Sequence, residues 1–493
     1  MLLLGIDIGT SSIKVSVVDA QTQKRVVSVS WPEIETEIIS KQSGWAEQNP
    51  NTWWEHTQQA ILKANATEKY DPTAIAAIGI SYQMHGLVVV DKNNKILRDS
   101  IIWCDSRAVE IGNQAFDAIG PSKSLQHLLN SPGNFTASKL AWVKQNEPAV
   151  YEQINKIMLP GDYIALQLTG AATTSISALS EGVFWDFVNN ELSRDVFNYY
   201  GFATSVIPEI KDVFSEHGKL SSSIASTLGL KPGIPVTYKA GDQPNNALSL
   251  NVLEAGEVAA TAGTSGVIYG VSDELTFDPQ SRINSFAHVN YTKEQKRIGV
   301  LLCINGTGIL NRWVKNSTGN PTYQQMNDAA ATVSIGSDGL FLLPFGNGAE
   351  RMLENKIAGA HVQQLDLNIH TNAHLYRASQ EGIAFAFRYG LDIMRENKMN
   401  PSVIRAGRAN MFLSDVFTKA FVNTLNIPVE LHNCDGSVGA ALGAGIGAGI
   451  YNNPKEAFAN AKPLAIVEPD ETTKQYDALY AKWNDLLQKQ LQP

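Results

Sequence analysis

The chain has 493 residues, 44% hydrophobic and 18% charged, the composition of a globular protein long enough for more than one hydrophobic core. A formal net charge of −9 leaves no basic footprint, so nucleic acid is not an expected partner. The three cysteines, Cys104, Cys303 and Cys434, lie far apart without Cys-x-x-Cys spacing, which argues against a disulfide framework or a usual structural zinc site and fits a reducing cytoplasm.

The chain opens with the apolar run Leu2-Leu3-Leu4, followed by Asp7-Ile8-Gly9-Thr10-Ser11-Ser12-Ile13-Lys14-Val15. A short apolar start with no charged region ahead of it reads as a strand, not a signal peptide. Ile13, Val15 and Val17 then alternate with Lys14, Ser16 and Val18, so a turn over Gly9 to Ser12 returns as a second strand. Helical spacing predicts helices over 53–64, 137–145 and 162–167. Strands are expected over 75–82 and 88–91, with Gln83-Met84-His85-Gly86 at the turn between them. Tyr238-Lys239-Ala240-Gly241-Asp242 carries a further strand to a carboxylate.

The second half opens with strands around 258–271 that enclose Thr261-Ala262-Gly263-Thr264-Ser265-Gly266. A strand over 298–304 precedes a helix starting near Gly306, and residues 376–394 have helical spacing, with Ala378, Ile383, Phe385 and Leu391 on the buried face. Residues 437–451 form a helix rich in Gly and Ala, suited either to close packing on a neighbour or to a flat ligand. The uncharged stretch 436–454 is too short and too weakly apolar to span a bilayer, so no membrane segment is expected. Strands alternating with helices in both halves predict two α/β domains, 1–245 and 246–493, with a cleft between them.

Gly9, Thr10 and Ser11 stand in the same register as Gly263, Thr264 and Ser265. Each set places backbone N–H groups and hydroxyls at a strand-to-strand turn, which is what a polyphosphate needs, and two such turns facing each other would clamp a nucleotide. Asp7 would hold a hydrated Mg²⁺ against phosphate oxygens, whereas its counterpart is Thr261, so one catalytic centre is expected between two similar halves. Phosphoryl transfer to an alcohol also needs a base, and Asp242 is the candidate; its alternative role is that of an ordinary turn residue. Met84-His85-Gly86 and Trp103-Cys104-Asp105-Ser106-Arg107 suit a sugar with many hydroxyls, or else a core tryptophan, a structural histidine and a salt bridge.

These stretches resemble the FGGY family of carbohydrate kinases over nearly the whole chain. The match is carried by residues 5–11, Trp45-Ala46-Glu47-Gln48 with Trp53-Trp54, residues 83–86 and 103–107, Leu159-Pro160-Gly161-Asp162-Tyr163, Gly241-Asp242-Gln243 and Gly263-Thr264-Ser265-Gly266. The resemblance implies two actin-like (ribonuclease H-like) ATPase domains around a catalytic cleft, ATP and Mg²⁺ as cofactors, and a sugar as acceptor. Within the family the chain is most similar to members that turn D-xylulose into D-xylulose 5-phosphate. On that basis Asp242 is the base at the terminal hydroxyl, and Asp7 positions the Mg²⁺-nucleotide, through water. Thr10, Ser11, Ser12, Lys14, Gly263, Thr264 and Ser265 line the phosphate path; Met84, His85, Trp103 and Gln243 face the sugar. The adenine is expected between the loop holding Gly407 and Asn410 and the helix beginning near Gly439.

Three parts of the chain depart from the family pattern. Gln243 stands where Asn is common and resembles glycerol kinases, although those carry Arg-Glu in place of Met84-His85. Residues 404–410 are an altered adenine loop, and Ser175 replaces an acidic residue. The rival readings are a kinase for another pentulose, gluconate or a glycerol-like polyol, and, outside enzymes of this kind, an actin-like chaperone ATPase or a sugar sensor. A cytoplasmic location is expected, and a homodimer is left open.

Overall fold

The computed structural model describes residues 1–492. Its first sheet contains β1 (Leu2–Ile8), β2 (Ile13–Asp19), β3 (Arg25–Trp31), β4 (Ile75–Tyr82) and β5 (Val236–Gly241), in the order β5-β4-β1-β2-β3. The second contains β6 (Val258–Ala262), β7 (Gly266–Ser272), β8 (Asn284–Ala287), β9 (Ile298–Ile304), β10 (Ile404–Gly407), β11 (Val429–His432) and β12 (Ala465–Val467), in the order β8-β9-β7-β6-β10-β11-β12. The halves share a plan. β1 is antiparallel to β2 and parallel to β4, which is parallel to β5. Likewise β6 is antiparallel to β7 and parallel to β10, which is parallel to β11. The parallel strands at each centre are covered on both faces, which is why β1 and β4 read as near-continuous apolar runs and not as alternating ones.

The helices that position the cleft are α1 (Pro50–Asn65), α2 (Thr136–Asn146), α3 (Ile176–Glu181), α4 (Asp242–Ser249), α5 (Gly308–Ser317), α6 (Tyr323–Ala331), α7 (Asn372–Glu396) and α8 (Gly436–Gly447). α1 begins earlier than its apolar spacing, because Asn49 caps it by accepting the Asn51 N–H and Pro50 supplies the first turn. α8 ends at Gly447, short of the expected 451; the following Gly449 has φ +68°.

Two helices cross between the halves. α4 follows β5, yet its Ala247 packs with Ala259, Tyr269 and Val271 of the second sheet. α8 follows β11, yet Ala440, Ala441 and Ala444 pack with Leu3, Val18, Ala77 and Tyr238 of the first half. Small residues allow this: a Cβ on Gly79 would stand 1.9 Å from the Ala440 carbonyl oxygen, and one on Gly439 would stand 1.7 Å from Ser249 Oγ. Close packing, not a flat ligand, therefore explains the Gly/Ala composition of α8. Both helices point their N-termini, the positive ends of their dipoles, toward the cleft.

A second link lies at the sheet edge. The backbone of β8 is bonded to the first half, with Asn130 Nδ2 donating to Ser285 O (2.6 Å), Ser285 N–H donating to Asn130 Oδ1 (3.0 Å), Ser177 Oγ donating to Ala287 O (2.8 Å) and Ala287 N–H donating to Ser180 Oγ (2.9 Å). Among the described residues no helix is long and apolar enough to cross a membrane.

Candidate active site

β1 and α8 bring Asp7 to the cleft. Burial holds its carboxyl above the usual range and the Asp435 charge adds to this, while the neighbouring Ser81 and the charge of Lys14 oppose it. The bare Cα of Gly436 makes room for it, since a Cβ there would lie 2.5 Å from Asp7 Oδ2. Asp242 is the first residue of α4. Burial pushes its carboxyl up to about 7 with Asp7 adding to the effect, and hydrogen bonds from Gln243 pull the other way. A carboxyl whose ionisation is made costlier by the Asp7 charge, beside Asp7 itself, fits a divalent cation arriving with nucleotide phosphates. Among the described residues no group of three or more His, Cys, Asp or Glu side chains forms a complete cage. Asp7 is the carboxylate that would hold a hydrated Mg²⁺ there.

The two turns expected to take phosphates occupy equivalent places in the two sheets. In the first, the Gly9 N–H donates to Ser12 O (3.1 Å) and Ser11 O accepts from the Thr36 N–H (2.8 Å). Thr10 Oγ1 donates to Gln83 Oε1 (3.2 Å) and accepts from Trp103 Nε1 (3.0 Å). Lys14 Nζ lies 2.8 Å from Asp435 Oδ2, which Arg25 also reaches at 3.4 Å, so this lysine is tied to a carboxylate at the start of α8. In the second turn, Gly263 O and Thr264 O accept the N–H groups of Gly308 and Ile309 at 2.9 and 3.1 Å, seating the turn on the start of α5, while Thr264 stays exposed and Ser265 half-buried. Thr261, the counterpart of Asp7, accepts from Asn246 Nδ2 (3.1 Å).

Beside this turn is a cavity of about 330 Å³ lined by Gly263, Thr264, Asn311 of α5, Tyr323 and Asn327 of α6, and Asn410. Gly407 ends β10 nearby, facing Cys434. The cavity has α5 and α6 among its walls, while the helix beginning near Gly439, expected beside the adenine, packs on the first sheet through Ala440, Ala441 and Ala444.

On the other side of Asp242, Met84 is buried against Gly241. His85 has φ +62° and is held by several bonds. Its N–H donates to Glu181 Oε1 (3.0 Å), its Nδ1 lies 3.1 Å from Glu181 O, and its carbonyl accepts from Lys139 Nζ (2.8 Å). A carbonyl only accepts, so Nδ1 carries the proton and Nε2 keeps a lone pair. Burial, with the charge of Lys139 adding, lowers the imidazole to about 3, so it stays neutral. Its ring packs on Phe135 (4.8 Å) and on Phe286 of β8 (5.4 Å). Trp103 is 52% exposed, which removes the alternative of a core tryptophan.

The family description "FGGY family of carbohydrate kinases, N-terminal domain" matches residues 2–249, and the corresponding C-terminal description matches residues 258–450. The chain belongs to the FGGY family of carbohydrate kinases. It is 31% identical to a xylulose kinase of Haemophilus influenzae over 82% of each chain, and 27% identical to a xylulose kinase of Escherichia coli over 95% of this chain and 93% of that one. The structure of xylulose kinase from Rhodospirillum rubrum superposes with a TM-score of 0.88 at 25% identity, covering 99% of both. The fold is thus the two-domain actin-like (ribonuclease H-like) architecture, and the activity of the family is ATP-dependent sugar phosphorylation.

Within this FGGY kinase, several residues weighed for the sugar face have other work. Arg107 binds buried Asp105 and Glu47 and lies over the Trp45 ring at 3.8 Å, a structural strut and not a ligand surface. Asn245 donates to Gly436 O (2.9 Å) and Asn246 is spent on Thr261, so of the polar run after Asp242 only Gln243 keeps its side chain beside the carboxylate. Sequence reading missed Gln83, Lys139, Glu181 and Phe286. The nearness of Gln83 to His85 was a usable signal; the others reach the cleft only through tertiary packing.

Proposed function

We propose that this kinase transfers the terminal phosphoryl group of ATP to the terminal hydroxyl of D-xylulose, with Asp242 receiving the hydroxyl proton. The observation that carries the reading is Asp242 itself: a half-buried carboxyl near 7 at a helix N-terminus, raised in part by the Asp7 charge, with Met84 packed on the Gly241 before it. A base poised near working pH accepts a proton without being permanently protonated or inertly ionised. His85 Nε2 is available to accept a hydrogen bond from one sugar hydroxyl, and Gln243 and Trp103 are assigned to the same sugar by the family resemblance. Thr10, Ser11, Ser12, Gly263, Thr264 and Ser265 supply N–H groups to the phosphates and the serines and Thr264 their hydroxyls, the Thr10 hydroxyl being bonded to Gln83, and Lys14 acts there through Asp435. Asp7 orients Mg²⁺ through water; that ion, when bound, neutralises phosphate charge. The cavity beside Gly263 and Asn410 takes the nucleoside, with Gly407 at its edge. The working units are residues 1–245 and 246–493, joined through the crossed helices α4 and α8.

D-Xylulose is favoured over other acceptors because the named xylulose kinases align across most of the chain at 27% and 31% identity. A coupled ADP-release assay over D-xylulose, D-ribulose, L-ribulose, gluconate and glycerol tests this. D-Xylulose is expected to have the highest kcat/KM and glycerol a low one, since each unmatched buried polar group costs about 1–3 kcal/mol. If gluconate or glycerol led the ranking, the substrate assignment would fall while the kinase fold stood.

A further inference from the structure

Lys139 and Glu181 are the two buried ionisable groups that touch His85, and neither has a place in the chemistry described above. Lys139, on α2, is fully buried and has no carboxylate within ion-pair distance; its ammonium instead donates to His85 O (2.8 Å) and Ile102 O (3.0 Å). Those carbonyls belong to the two loops that present His85 and Trp103. A methionine would fill the same volume at far lower desolvation cost, so the ammonium is retained for what it binds. Burial lowers it to about 7, with Asp105 opposing.

Glu181, the last residue of α3, is 1% exposed. Oε1 accepts the His85 N–H, the Glu181 carbonyl takes the imidazole Nδ1, and Oε2 has no partner and lies behind the Gly241 backbone. Burial holds this carboxyl well above the usual range, while the hydrogen bond from the His85 N–H opposes the shift. His85 thus sits in a left-handed conformation costly for any residue but glycine, gripped at its N–H, its ring and its carbonyl.

We propose that Lys139 and Glu181 are positioning residues that clamp the backbone of His85, fixing the direction in which its Nε2 lone pair meets the acceptor sugar. The proposal rests on the sugar-side placement of His85 given under Proposed function. It assigns the pair to sugar binding and not to phosphoryl transfer or the nucleotide.

The test is a double-mutant cycle on the full-length enzyme, read on the sugar with the highest kcat/KM in the panel above. Lys139→Met and Glu181→Ala are each expected to raise the sugar KM by at least about tenfold, the scale of losing a buried hydrogen bond, with the KM for ATP unchanged. Glu181→Gln, which keeps an oxygen acceptor for the His85 N–H, is expected to recover most of that loss. In a His85→Ala background Lys139→Met should add less than about twofold, because the backbone carbonyl that Lys139 holds remains but the imidazole whose direction the clamp sets is gone. Full additivity in that background, an unchanged sugar KM in a variant with a native melting curve, or equal losses for sugar and ATP would each overturn the clamp. Failure of D-xylulose with success of another sugar defeats the substrate reading and leaves the cycle to be read on that other sugar.

Discussion

At the scale of single residues, the environment of Asp242 makes two linked demands. Its folded-state value of about 7 lies above the ordinary 3.8, so the folded protein holds this proton more tightly than the unfolded chain does. The cost of the buried carboxylate is therefore absent below about pH 4, grows as pH rises, and is full above about 7. Asp242→Asn removes a charge without changing shape. The ligand-free variant is expected to melt above wild type at pH 8, with the gap closing toward pH 4, while its kcat falls at least about 10²-fold, the usual share of a positioned base. Melting curves at the two pH values and steady-state turnover check both. Near-normal turnover would take Asp242 out of the base role, and equal melting gaps at both pH values would deny the raised carboxyl.

At the scale of elements, what was legible was local. The turn at Gly9 to Ser12, its counterpart at Gly263 to Ser265 and β4 with its following turn announce themselves through alternation, glycine and hydroxyl residues, all within a few positions. The exchange of α4 and α8 between halves was not legible, because the small residues of α8 look alike whether they meet a sheet or a ligand. Lys139, Glu181 and Phe286 were invisible for a related reason. An isolated Lys in an amphipathic helix reads as a solvated residue, and only the packed fold shows that it is buried between two loops. The seating of α8 is testable through the residue that permits it. Gly79→Ala places a Cβ 1.9 Å from the Ala440 carbonyl oxygen, a backbone atom that cannot swing aside. Overpacking of this kind costs about 1–3 kcal/mol, so the urea midpoint should fall with the m-value unchanged. An unaltered midpoint would mean that α8 is not pressed on β4.

At the scale of the whole molecule, neither side of the cleft belongs to one half. His85 of the first half packs on Phe286 of the second, and the β8 backbone is bonded to Asn130, Ser177 and Ser180. On the side proposed for the nucleotide, the cavity is lined by the second half, while Asp7 and the Gly9 to Ser12 turn come from the first. A sugar and a nucleotide bound together would each bridge the halves, and each would favour the arrangement that the other needs. Reciprocity then follows from linkage: the factor by which sugar tightens nucleotide binding must equal the factor by which nucleotide tightens sugar binding. With a non-hydrolysable ATP analogue and the preferred sugar, calorimetry in both orders of addition is expected to give one common factor, about 5- to 150-fold as typical for such coupling. Phe286→Ala loosens the contact between halves on the sugar side and should shrink that factor more than it weakens nucleotide binding alone. A factor of one in the wild-type enzyme would mean that the halves respond to their ligands independently, and the two crossed helices would then be a static joint and not a route between the sites.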